Sequence, residues 1–466
     1  EAVPTLLRVV DTLEAALIVS TESLAGKLAE RPRRERPLPP CVTPAQIAAV
    51  TPASFMRAPA APEDTAFLQL TSGSTGFPRA VQITHGGALH NARALDVNIA
   101  APHRDSCRGF IDHWASWVPL HHDMGLITNL TLMLNGIDLD LMPPEAFLGR
   151  PRRWLELLST GGRSVATAPN FGYQLCIDRL RDEDLEGLDL DRWQAAFSAA
   201  EMVRPETVAG FVDRFGGCGF RSESYRPCYG LAEATLVVAI DQAGRGPRTL
   251  PVPAGVSDSG VELREVFCLG EPVIDTRIRI TAPDGSVLPE GTVGEVGIQG
   301  PSVFSGYFND PEATSETLVD GWLRTGDLGF MASGELYLTG RLKDLLIVRG
   351  ENIMPHELEW LAESASGGGA LERAAAFSLS RGGHGEEVVL VLESSDKDPA
   401  ALAPMLRDLK VEIGREFGLV LADLVPVRRG QIPKTTSGKV QRGAVRDLYL
   451  AGELARLVGV DPSGAL

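Results

Sequence analysis

A run of small and hydroxyl-bearing residues is the first feature of this sequence that could bind an anion. The run is Thr71-Ser72-Gly73-Ser74-Thr75-Gly76, and it lies between the apolar segments AFLQL and AVQIT, which predict two strands. Glycines let the backbone turn several N–H groups toward one point, and the hydroxyls and the nearby Arg79 add further donors. The run predicts a triphosphate-binding loop, although it lacks the Gly-Lys-Ser/Thr of the common nucleoside-triphosphatase loop. The alternative is a mobile surface loop.

Three further segments could complete a nucleotide site. Tyr229 is followed by a glycine and, four residues later, by Glu233, so this segment offers a stacking face and a carboxylate for Mg²⁺. Asp327 lies between glycines in a predicted turn and could accept hydrogen bonds from a ribose diol. Arg341 and Lys439 follow in two basic loops. Taken singly, these residues are more typical of strand-end packing, an ordinary turn and a solvated loop.

The charge balance limits the partners that the chain could bind through electrostatics. The 44 basic and 61 acidic residues give a net charge of −17. A protein this acidic is a poor candidate for binding nucleic acid or anionic lipid, so a few well-placed groups must hold any phosphate. Of only six lysines, three lie in two short loops near the C-terminal end: Lys343, Lys434 and Lys439.

Cysteine usage and hydropathy narrow the class of protein further. The six cysteines show no CxxC pair and no cluster with histidine. Structural zinc and a disulfide framework are therefore disfavoured, and a cytoplasmic location is the simpler expectation. There is no run of about 18 apolar residues, so the sequence predicts no membrane span.

The predicted elements divide the 466 residues into regions of different rhythm. Up to Ala239, apolar runs alternate with amphipathic stretches, which predicts parallel βαβ units in layers. Residues 240–340 are richer in short strands and turns, which predicts an antiparallel sheet or small barrel. From about Arg341, mixed elements predict a small α+β domain. Individual predictions include strands over 15–20 and 116–120 and a terminal helix near 443–456.

In their residues and in their order along the chain, these motifs resemble those of the adenylate-forming superfamily: acyl-CoA synthetases, luciferases, peptide-synthetase adenylation domains and fatty acyl-AMP ligases. The resemblance runs from about residue 60 to 445. The segments Trp117–Ile127, Ala168–Tyr173 and Pro227–Thr235 are most similar to those of fatty acyl-AMP ligases. The resemblance implies an α/β fold with two domains. Residues 1–342 would form a large domain of layered α/β subdomains and a small β-barrel-like subdomain, and residues 343–466 a small mobile α+β domain that carries the catalytic lysine.

The resemblance also implies a role for each motif residue. Thr71 to Gly76, with Arg79, would surround the β- and γ-phosphates of ATP. Tyr229 would stack on adenine, Glu233 would bind Mg²⁺, and Lys439 would bridge the substrate carboxylate and the α-phosphate. The remaining implied positions are the nucleotide contacts Ala200, Glu201, Gly230, Leu231 and Ala232, the ribose contacts Asp327 and Arg341, the hinge Lys343, and His122 beside the reacting groups.

The chain departs from the family pattern in several places. The phosphate loop ends in Arg79-Ala80 instead of Lys-Gly, and Arg is bulkier and forked. The segment Ser198–Glu201 is Ser-Ala-Ala-Glu where acyl-AMP ligases usually have Asn-Gly-Ala-Glu, which weakens the expected adenine contacts. The phosphate loop also begins near residue 70, so we expect part of the N-terminal subdomain to be missing from the chain. The connection from Tyr229 to Gly270 is shorter than in typical acyl-AMP ligases, in which an insertion accompanies refusal of coenzyme A.

The residues around the Trp117 motif bear on which acid is activated. The strand residues before His122 are uncharged, which disfavours an α-amino acid because its ammonium would be buried without a partner. His122 and Asp123 could serve a β-amino or hydroxylated acid, or His122 could line the acyl pocket while Asp123 caps a helix. An apolar lining consistent with a fatty acyl chain is predicted at Phe171, Tyr173, Met202 and Leu231, together with His122.

The resulting hypothesis is an ATP- and Mg²⁺-dependent ligase. It would convert a fatty or related carboxylic acid into an acyl-adenylate, release pyrophosphate, and pass the acyl group to the phosphopantetheine thiol of an acyl carrier protein. Coenzyme A is the alternative acceptor, and a β-amino acid is an alternative substrate. A further alternative is a catalytically silent relative that binds a nucleotide or an acyl group.

Overall fold

A computed structural model describes eleven stretches of the chain: residues 2–29, 38–50, 58–71, 79–100, 106–253, 265–348, 351–365, 371–380, 386–395, 399–434 and 439–457. The first elements are short: α1 (Ala2–Thr12), β1 (Ile18–Val19), α2 (Glu22–Ala29), β2 (Cys41–Val42) and α3 (Pro44–Ala48). Strands β1 and β2 pair in parallel, so the strand predicted over 15–20 is present but only two residues long.

An antiparallel hairpin follows and holds the two ends of the predicted phosphate loop. It consists of β3 (Thr65–Thr71) and β4 (Arg79–Thr84), and it leads directly into α4 (His85–Ala100). Thr71 is paired with Arg79 across the hairpin, so the ends of the loop lie side by side. The loop residues Ser72, Gly73, Ser74, Thr75 and Gly76 lie outside the described part of the chain.

The largest sheet has seven strands and confirms the layered α/β architecture. Its strand order is β13-β10-β9-β8-β7-β5-β6. The five strands from β6 to β9 are parallel, whereas β10 and β13 are antiparallel to their neighbours. The elements of this region are β5 (His113–Ser116), α5 (Asp123–Asn135), β6 (Asp138–Leu141), α6 (Pro144–Gly149), α7 (Arg152–Ser159), β7 (Ser164–Ala168), α8 (Asn170–Arg179), β8 (Trp193–Ser198), α9 (Pro205–Gly216), β9 (Tyr225–Gly230), β10 (Val237–Ile240), β11 (Thr249–Pro251), β12 (Glu265–Phe267) and β13 (Glu271–Pro272).

The strand predicted over 116–120 is wrong, because β5 covers residues 113–116 and ends where that prediction begins. The chain then turns: the Val118 N–H donates to Ser116 Oγ over 3.2 Å, and the His122 N–H donates to the Pro119 carbonyl over 3.0 Å. Trp117 remains buried because its ring stacks on Phe147, with 4.1 Å between ring centroids. Packing of the apolar run therefore continues after the strand has ended, and the run alone predicts a strand that is too long.

Residues 277–341 form a five-stranded antiparallel sheet in the place of the expected barrel-like subdomain. Strand β17 is central, pairing with β15, β16 and β18, and it places Asp327 directly opposite Arg341. A single 3₁₀ turn over Leu342–Asp344 follows the sheet. The elements are β14 (Arg277–Thr281), β15 (Gly294–Gln299), α10 (Pro311–Thr317), β16 (Leu318–Val319), β17 (Trp322–Ala332) and β18 (Glu335–Arg341).

The last region has strands and helices around a hydrophobic cluster of its own. The cluster runs from Leu346 to Leu424 and includes Leu358, Leu390 and Ile413. Strand β22 pairs antiparallel with β21 and parallel with β23. The terminal helix is shorter than predicted and ends at Leu450, because Gly452 adopts a left-handed backbone with φ +69°. The elements are β19 (Leu346–Val348), β20 (Glu351–Ile353), α11 (Pro355–Ser364), β21 (Leu371–Ser380), β22 (Glu386–Ser394), α12 (Pro399–Phe417), β23 (Asp423–Arg428) and α13 (Arg442–Leu450).

Aromatic side chains dominate the core beneath the parallel sheet. Trp154, Tyr173, Trp193, Phe211 and Tyr225 are fully buried together, and the Trp154 and Trp193 rings meet edge to face at 5.4 Å. Such contacts fix α7, α8 and α9 on one face of the sheet. Among the described residues, no helix is both long enough and apolar enough to cross a membrane.

Candidate active site

A cavity of about 2770 Å³ brings together most of the residues predicted for the site. It lies at the C-terminal ends of the parallel strands, where loops can place side chains without disturbing the sheet. Nearly all of the predicted residues that the structure describes line it: Thr71, Arg79, His122, Phe171, Ala200, Glu201, Met202, Tyr229, Gly230, Leu231, Ala232, Glu233, Asp327, Arg341, Lys343 and Lys439. The exception is Tyr173.

Tyr229, Asp327 and Arg341 form a hydrogen-bonded group on one wall of the cavity. The Tyr229 hydroxyl donates to Asp327 Oδ2 over 2.6 Å, and Arg341 Nε lies 2.8 Å from Asp327 Oδ1. Burial, reinforced by the charge of Asp327, raises the pKa of Tyr229 well above its ordinary value, so the phenol stays protonated. Asp327 lies within β17, directly after Gly326, and not in the turn that the sequence predicts. Each carboxylate oxygen has a further lone pair, so a ribose hydroxyl could still bind.

Glu233 is held at the end of β9 by a tightly packed loop. It lies in a 3₁₀ turn, Ala232–Ala234, and the Tyr307 hydroxyl donates to its Oε1 atom over 2.8 Å. The Arg79 guanidinium lies over the ring of Tyr307 at 5.2 Å. Gly230 is required before this loop because a Cβ there would lie 1.9 Å from the Leu236 carbonyl oxygen. The carboxylate suits Mg²⁺, which proteins commonly hold through one or two carboxylates together with substrate phosphates.

Lys439 reaches the same cavity from the last region of the chain. Its loop is held by a β-bridge between Lys434 and Val440, and the Gln441 N–H donates to the Pro433 carbonyl over 3.0 Å. Burial and the charge of Arg341 lower the pKa of Lys439, while Glu201, Asp123 and Asp327 oppose that shift. The lysine is therefore within electrostatic range of four charged residues that line the cavity with it: Asp123, Glu201, Asp327 and Arg341.

His122 and Asp123 lie at the start of α5 and also line the cavity. His122 is the N-cap residue, and the Met124 N–H donates to Asp123 Oδ1 over 2.7 Å. His122 Nδ1 lies 2.6 Å from the same oxygen. Burial favours the neutral form of Asp123, but His122, the Met124 N–H and Lys439 outweigh it, so the pKa of Asp123 is lowered. The close approach of this turn needs Gly125, because a Cβ there would lie 2.2 Å from the Pro119 carbonyl oxygen.

Glu201 lies in the loop that joins β8 to α9. Its Oε2 atom accepts the Phe171 N–H over 3.1 Å. Burial raises the pKa of Glu201, although Lys439, Arg204 and Arg373 favour its charged form. Ala200 adopts a left-handed backbone with φ +69°, which is uncommon for a residue with a side chain. The loop therefore turns sharply to present Glu201 to the cavity.

Part of the cavity lining is apolar, and strands of the seven-stranded sheet and helices α4 and α5 contribute to it; this part is called the apolar arm. Phe171, Met202 and Leu231 stand at its side, as the sequence predicts. The remaining lining of this arm belongs to no sequence motif, because it comes from ordinary core positions: Leu95, Trp114, Thr128, Phe197, Val237 and Ile240. The apolar surface suits an acyl chain.

Tyr173 does not line the cavity. It is fully buried in the aromatic core, and its hydroxyl donates to the Phe197 carbonyl over 2.8 Å. Phe171 and Tyr173 are two positions apart on α8, and residues with that spacing face different sides of a helix. One of the pair therefore faces the cavity while the other faces the core.

Two site residues have no signature in the sequence. Tyr307, which contacts Glu233 and Arg79, comes from a loop more than 70 residues after Glu233, and nothing marks it out from a packing tyrosine. Arg204 is the last residue of the Glu201 loop, where it is the N-cap of α9, and it contacts α11 of the last region. Only long-range contacts identify these residues.

The fold and site define an enzyme that activates an acid with a nucleotide, and comparison with known proteins agrees. The family model "AMP-binding enzyme" matches residues 5–308, and the chain belongs to this family. The chain is 37% identical over 426 residues to putative fatty-acid–CoA ligase FadD21 of Mycobacterium tuberculosis, covering 84% of this chain and 72% of the relative. A medium-chain-fatty-acid–acyl-carrier-protein ligase, TtuA of Teredinibacter turnerae, is 35% identical over 84% of this chain and 64% of its own length.

Solved structures give the same result. A structure from work on fatty acyl-adenylate ligases of E. coli and L. pneumophila matches with a TM-score of 0.84 and 31% identity, covering 96% of this chain and 80% of that one. The L. pneumophila ligase in complex with acyl adenylate and pyrophosphate matches with a TM-score of 0.66 and 30% identity, over 97% and 80% of the two chains. The chain is therefore an adenylate-forming ligase that resembles fatty acyl-AMP ligases, a class that uses ATP.

Proposed function

We propose that this protein activates a fatty acid as its acyl-adenylate, with release of pyrophosphate, and transfers the acyl group to the phosphopantetheine thiol of an acyl carrier protein. The observation that carries the proposal is the position of Lys439 in a cavity that is lined both by the predicted nucleotide-binding residues and by apolar side chains. An adenylating enzyme needs that arrangement, because the acid and the α-phosphate must meet at one cation.

The first step requires charge neutralisation more than acid–base chemistry. A carboxylate oxygen of the acid attacks the α-phosphorus of ATP, an oxygen–phosphorus bond forms, and the bond to pyrophosphate breaks. The carboxylate is already ionised, so no general base is needed. The barrier comes from two anions forced together, and a preorganised cation lowers it. Lys439 supplies that cation, and Arg341 adds a second positive charge within electrostatic range.

The remaining site residues bind and orient the nucleotide. Thr71 and Arg79 flank the β- and γ-phosphates together with residues 72–76, and the Tyr229 ring stacks on adenine beside residues 200–201 and 230–232. Asp327 and Arg341 hold the ribose. Glu233 would hold Mg²⁺, and the ion would neutralise charge on the phosphates.

The transfer step is proposed to use the division of the chain at Lys343. Residues 1–342 would form the large domain and residues 343–466 the small one. Lys343 lies in the 3₁₀ turn that leads into β19. This turn follows the antiparallel sheet of residues 277–341 and precedes the hydrophobic cluster of the last region. A rotation about this turn would withdraw Lys439 after adenylation and open a path for the thiol. The sulfur would then attack the acyl carbonyl carbon, the bond from that carbon to AMP would break, and AMP and the thiol proton would be released.

Two observations favour the carrier protein as acceptor: the residues of the motifs resemble those of acyl-AMP ligases, and the chain is similar to TtuA, whose name specifies an acyl carrier protein. Coenzyme A is the second candidate, because the connection from Tyr229 to Gly270 is short and FadD21 is named as a fatty-acid–CoA ligase. Incubation with ATP, Mg²⁺ and decanoate plus each thiol separates them. We expect the acylated carrier protein to form faster than acyl-CoA. Formation of acyl-CoA at a comparable rate would reverse the assignment.

ATP–pyrophosphate exchange with a panel of fatty, hydroxylated and β-amino acids tests the activation step itself. We expect exchange with fatty acids, and its loss in Lys439→Ala with the fold intact. Lys27→Ala is the matched control, since Lys27 is exposed on α2, outside the cavity. Near-normal exchange in Lys439→Ala would overturn the assigned role, and no exchange with any acid would favour a silent relative.

A further inference from the structure

Arg204 contacts two side chains of α11 and thereby joins the wall of the cavity to the last region of the chain. Its Nη1 atom lies 2.6 Å from Glu363 Oε2, and its guanidinium lies over the Trp360 ring at 5.1 Å. Trp360 is itself packed against His356, with ring centroids 4.7 Å apart. Arginine suits this position, because its planar group can pair with a carboxylate and stack on a ring at once.

Helix α11 is in turn linked to the loop that carries Lys439. Arg442, three residues after Lys439, makes a bidentate pair with Glu359, with both N–O distances 2.7 Å. A third nitrogen of Arg442 lies 3.0 Å from Asp344. Glu359 and Glu363 are one turn apart on α11 and share a face. The same face of one helix therefore binds Arg204 on one side and the Lys439 loop on the other.

At its other end, Arg204 is anchored to the large region beside Glu201. The backbone N–H of Arg204 donates to Asn170 Oδ1 over 3.0 Å, which fixes the loop to the start of α8. Glu201, three residues earlier, is one of the carboxylates that face Lys439. In the loop 199–204, the charge of Glu201 therefore acts on Lys439, and Arg204 contacts α11 directly.

We infer that Arg204 is a positioning residue for adenylation: by holding α11 through Trp360 and Glu363, it keeps Lys439 inside the cavity. Glu363 is mostly buried, so removing the arginine leaves a carboxylate with reduced compensation at the contact, which favours separation of the two surfaces. Arg204 is not expected to touch the reacting atoms. The inference rests on the proposed role of Lys439, but the position of that lysine can be measured without any activity.

Selective labelling of lysines tests the inference directly. An amine-acylating reagent is applied to the whole protein, and mass spectrometry reports the rate for each of the six lysines. In Arg204→Ala we expect Lys439 to react about fivefold faster, while Lys27 and Lys410 react as in the unchanged protein. Exchange assays should show a lower kcat with little change in the KM for ATP, and Arg204→Lys should restore only part of the loss.

Arg152→Ala is the matched control, because Arg152 pairs with Glu156 over 2.9 Å within α7 and contacts neither α11 nor the cavity. It should leave the Lys439 labelling rate unchanged. Should Arg204→Ala fail to fold, Glu363→Gln removes the same charge pair from the other side and should give the same result. Unchanged Lys439 labelling in the folded variants, or an equal rise at Lys27 and Lys410, would overturn the inference. A failed exchange assay with Lys439 labelling that still depends on Arg204 would instead count against the proposed function alone.

Discussion

The Tyr307 hydroxyl donates a 2.8 Å hydrogen bond to Glu233 Oε1, and the ring of the same tyrosine lies beneath the Arg79 guanidinium at 5.2 Å. One side chain therefore connects the cation beside the phosphate loop with the carboxylate proposed to hold Mg²⁺. Tyr307 is itself fixed, because its N–H donates to Thr314 Oγ1 over 2.9 Å. This relationship gives the arginine that replaces the usual lysine a packing role as well as a charge.

Tyr307→Phe should weaken the response to Mg²⁺ without unfolding the protein. The ring beneath Arg79 remains, but Glu233 loses the hydrogen bond that orients its carboxylate. Residues that orient a metal ligand commonly contribute tenfold or more to metal affinity, so we expect the Mg²⁺ concentration for half-maximal exchange to rise about tenfold. Tyr449→Phe is the control, since it removes a comparable 2.9 Å hydrogen bond from a tyrosine hydroxyl to a carboxylate, Asp423, in the last region of the chain. Identical Mg²⁺ curves for both variants would contradict the role of Tyr307.

Asp327→Asn should impair nucleotide binding more than Tyr229→Phe does. The aspartate carries the charge that pairs with Arg341, and it also accepts the Tyr229 hydroxyl. The substitution weakens the proposed ribose acceptor and removes the negative charge that pairs with the Arg341 guanidinium, which is about half exposed. We expect the KM for ATP to rise about tenfold or more in Asp327→Asn and by less in Tyr229→Phe, which keeps the stacking ring. An unchanged KM in Asp327→Asn would place the ribose elsewhere.

Much of the fold follows from local signals, because strands such as β7 and β8 are short buried runs and helices such as α7 and α9 are amphipathic. Beyond Ser116 the signal misleads, because Trp117 packs in the core after the strand has ended. The site was predictable where a residue belongs to a motif, as Glu233 and Lys439 do. It was not predictable for Tyr307, Arg204 or Val237, which reach the cavity only through contacts between distant parts of the chain.

The size of the residue at Val237 should set which acids fit the apolar arm. Val237 lines the cavity from β10 and is almost fully buried. Val237→Leu fills part of the arm, so exchange should shift toward shorter fatty acids, whereas Val237→Ala should shift it toward longer ones. Exchange rates across a series of chain lengths give the comparison. Identical profiles for the two variants would mean that the acyl chain does not reach β10.

Tyr173→Phe should affect stability and leave the choice of acid unchanged. The variant removes the 2.8 Å bond to the Phe197 carbonyl within the aromatic core, and an intramolecular hydrogen bond of this kind contributes about 1 kcal/mol. We expect a lower thermal midpoint with the same chain-length profile. Phe171→Leu, two positions earlier on α8 but facing the cavity, should change the profile instead. A changed profile in Tyr173→Phe would restore this residue to the acyl pocket.

At alkaline pH, kcat/KM should fall, and the fall should begin at a lower pH than the ordinary pKa of a lysine side chain. Burial and Arg341 lower the pKa of Lys439, so in the free enzyme it loses its proton before an exposed lysine does. Adenylation needs the ammonium charge, and kcat/KM reports the free enzyme, so kcat/KM should fall as the pH rises through this lowered pKa.

Stability should respond to the same titration in the opposite direction. The unfolded chain holds this proton more tightly than the folded one, so the contribution of Lys439 to the free energy of unfolding rises between the lowered pKa and the ordinary value. Lys439→Arg stays charged throughout, and we expect its residual activity to lose the alkaline fall. Lys343 is the rival, because burial and Arg341 lower its pKa too. If Lys343→Arg moves the alkaline limb and Lys439→Arg does not, the titrating group is Lys343, and the charge on which adenylation depends does not reside on Lys439.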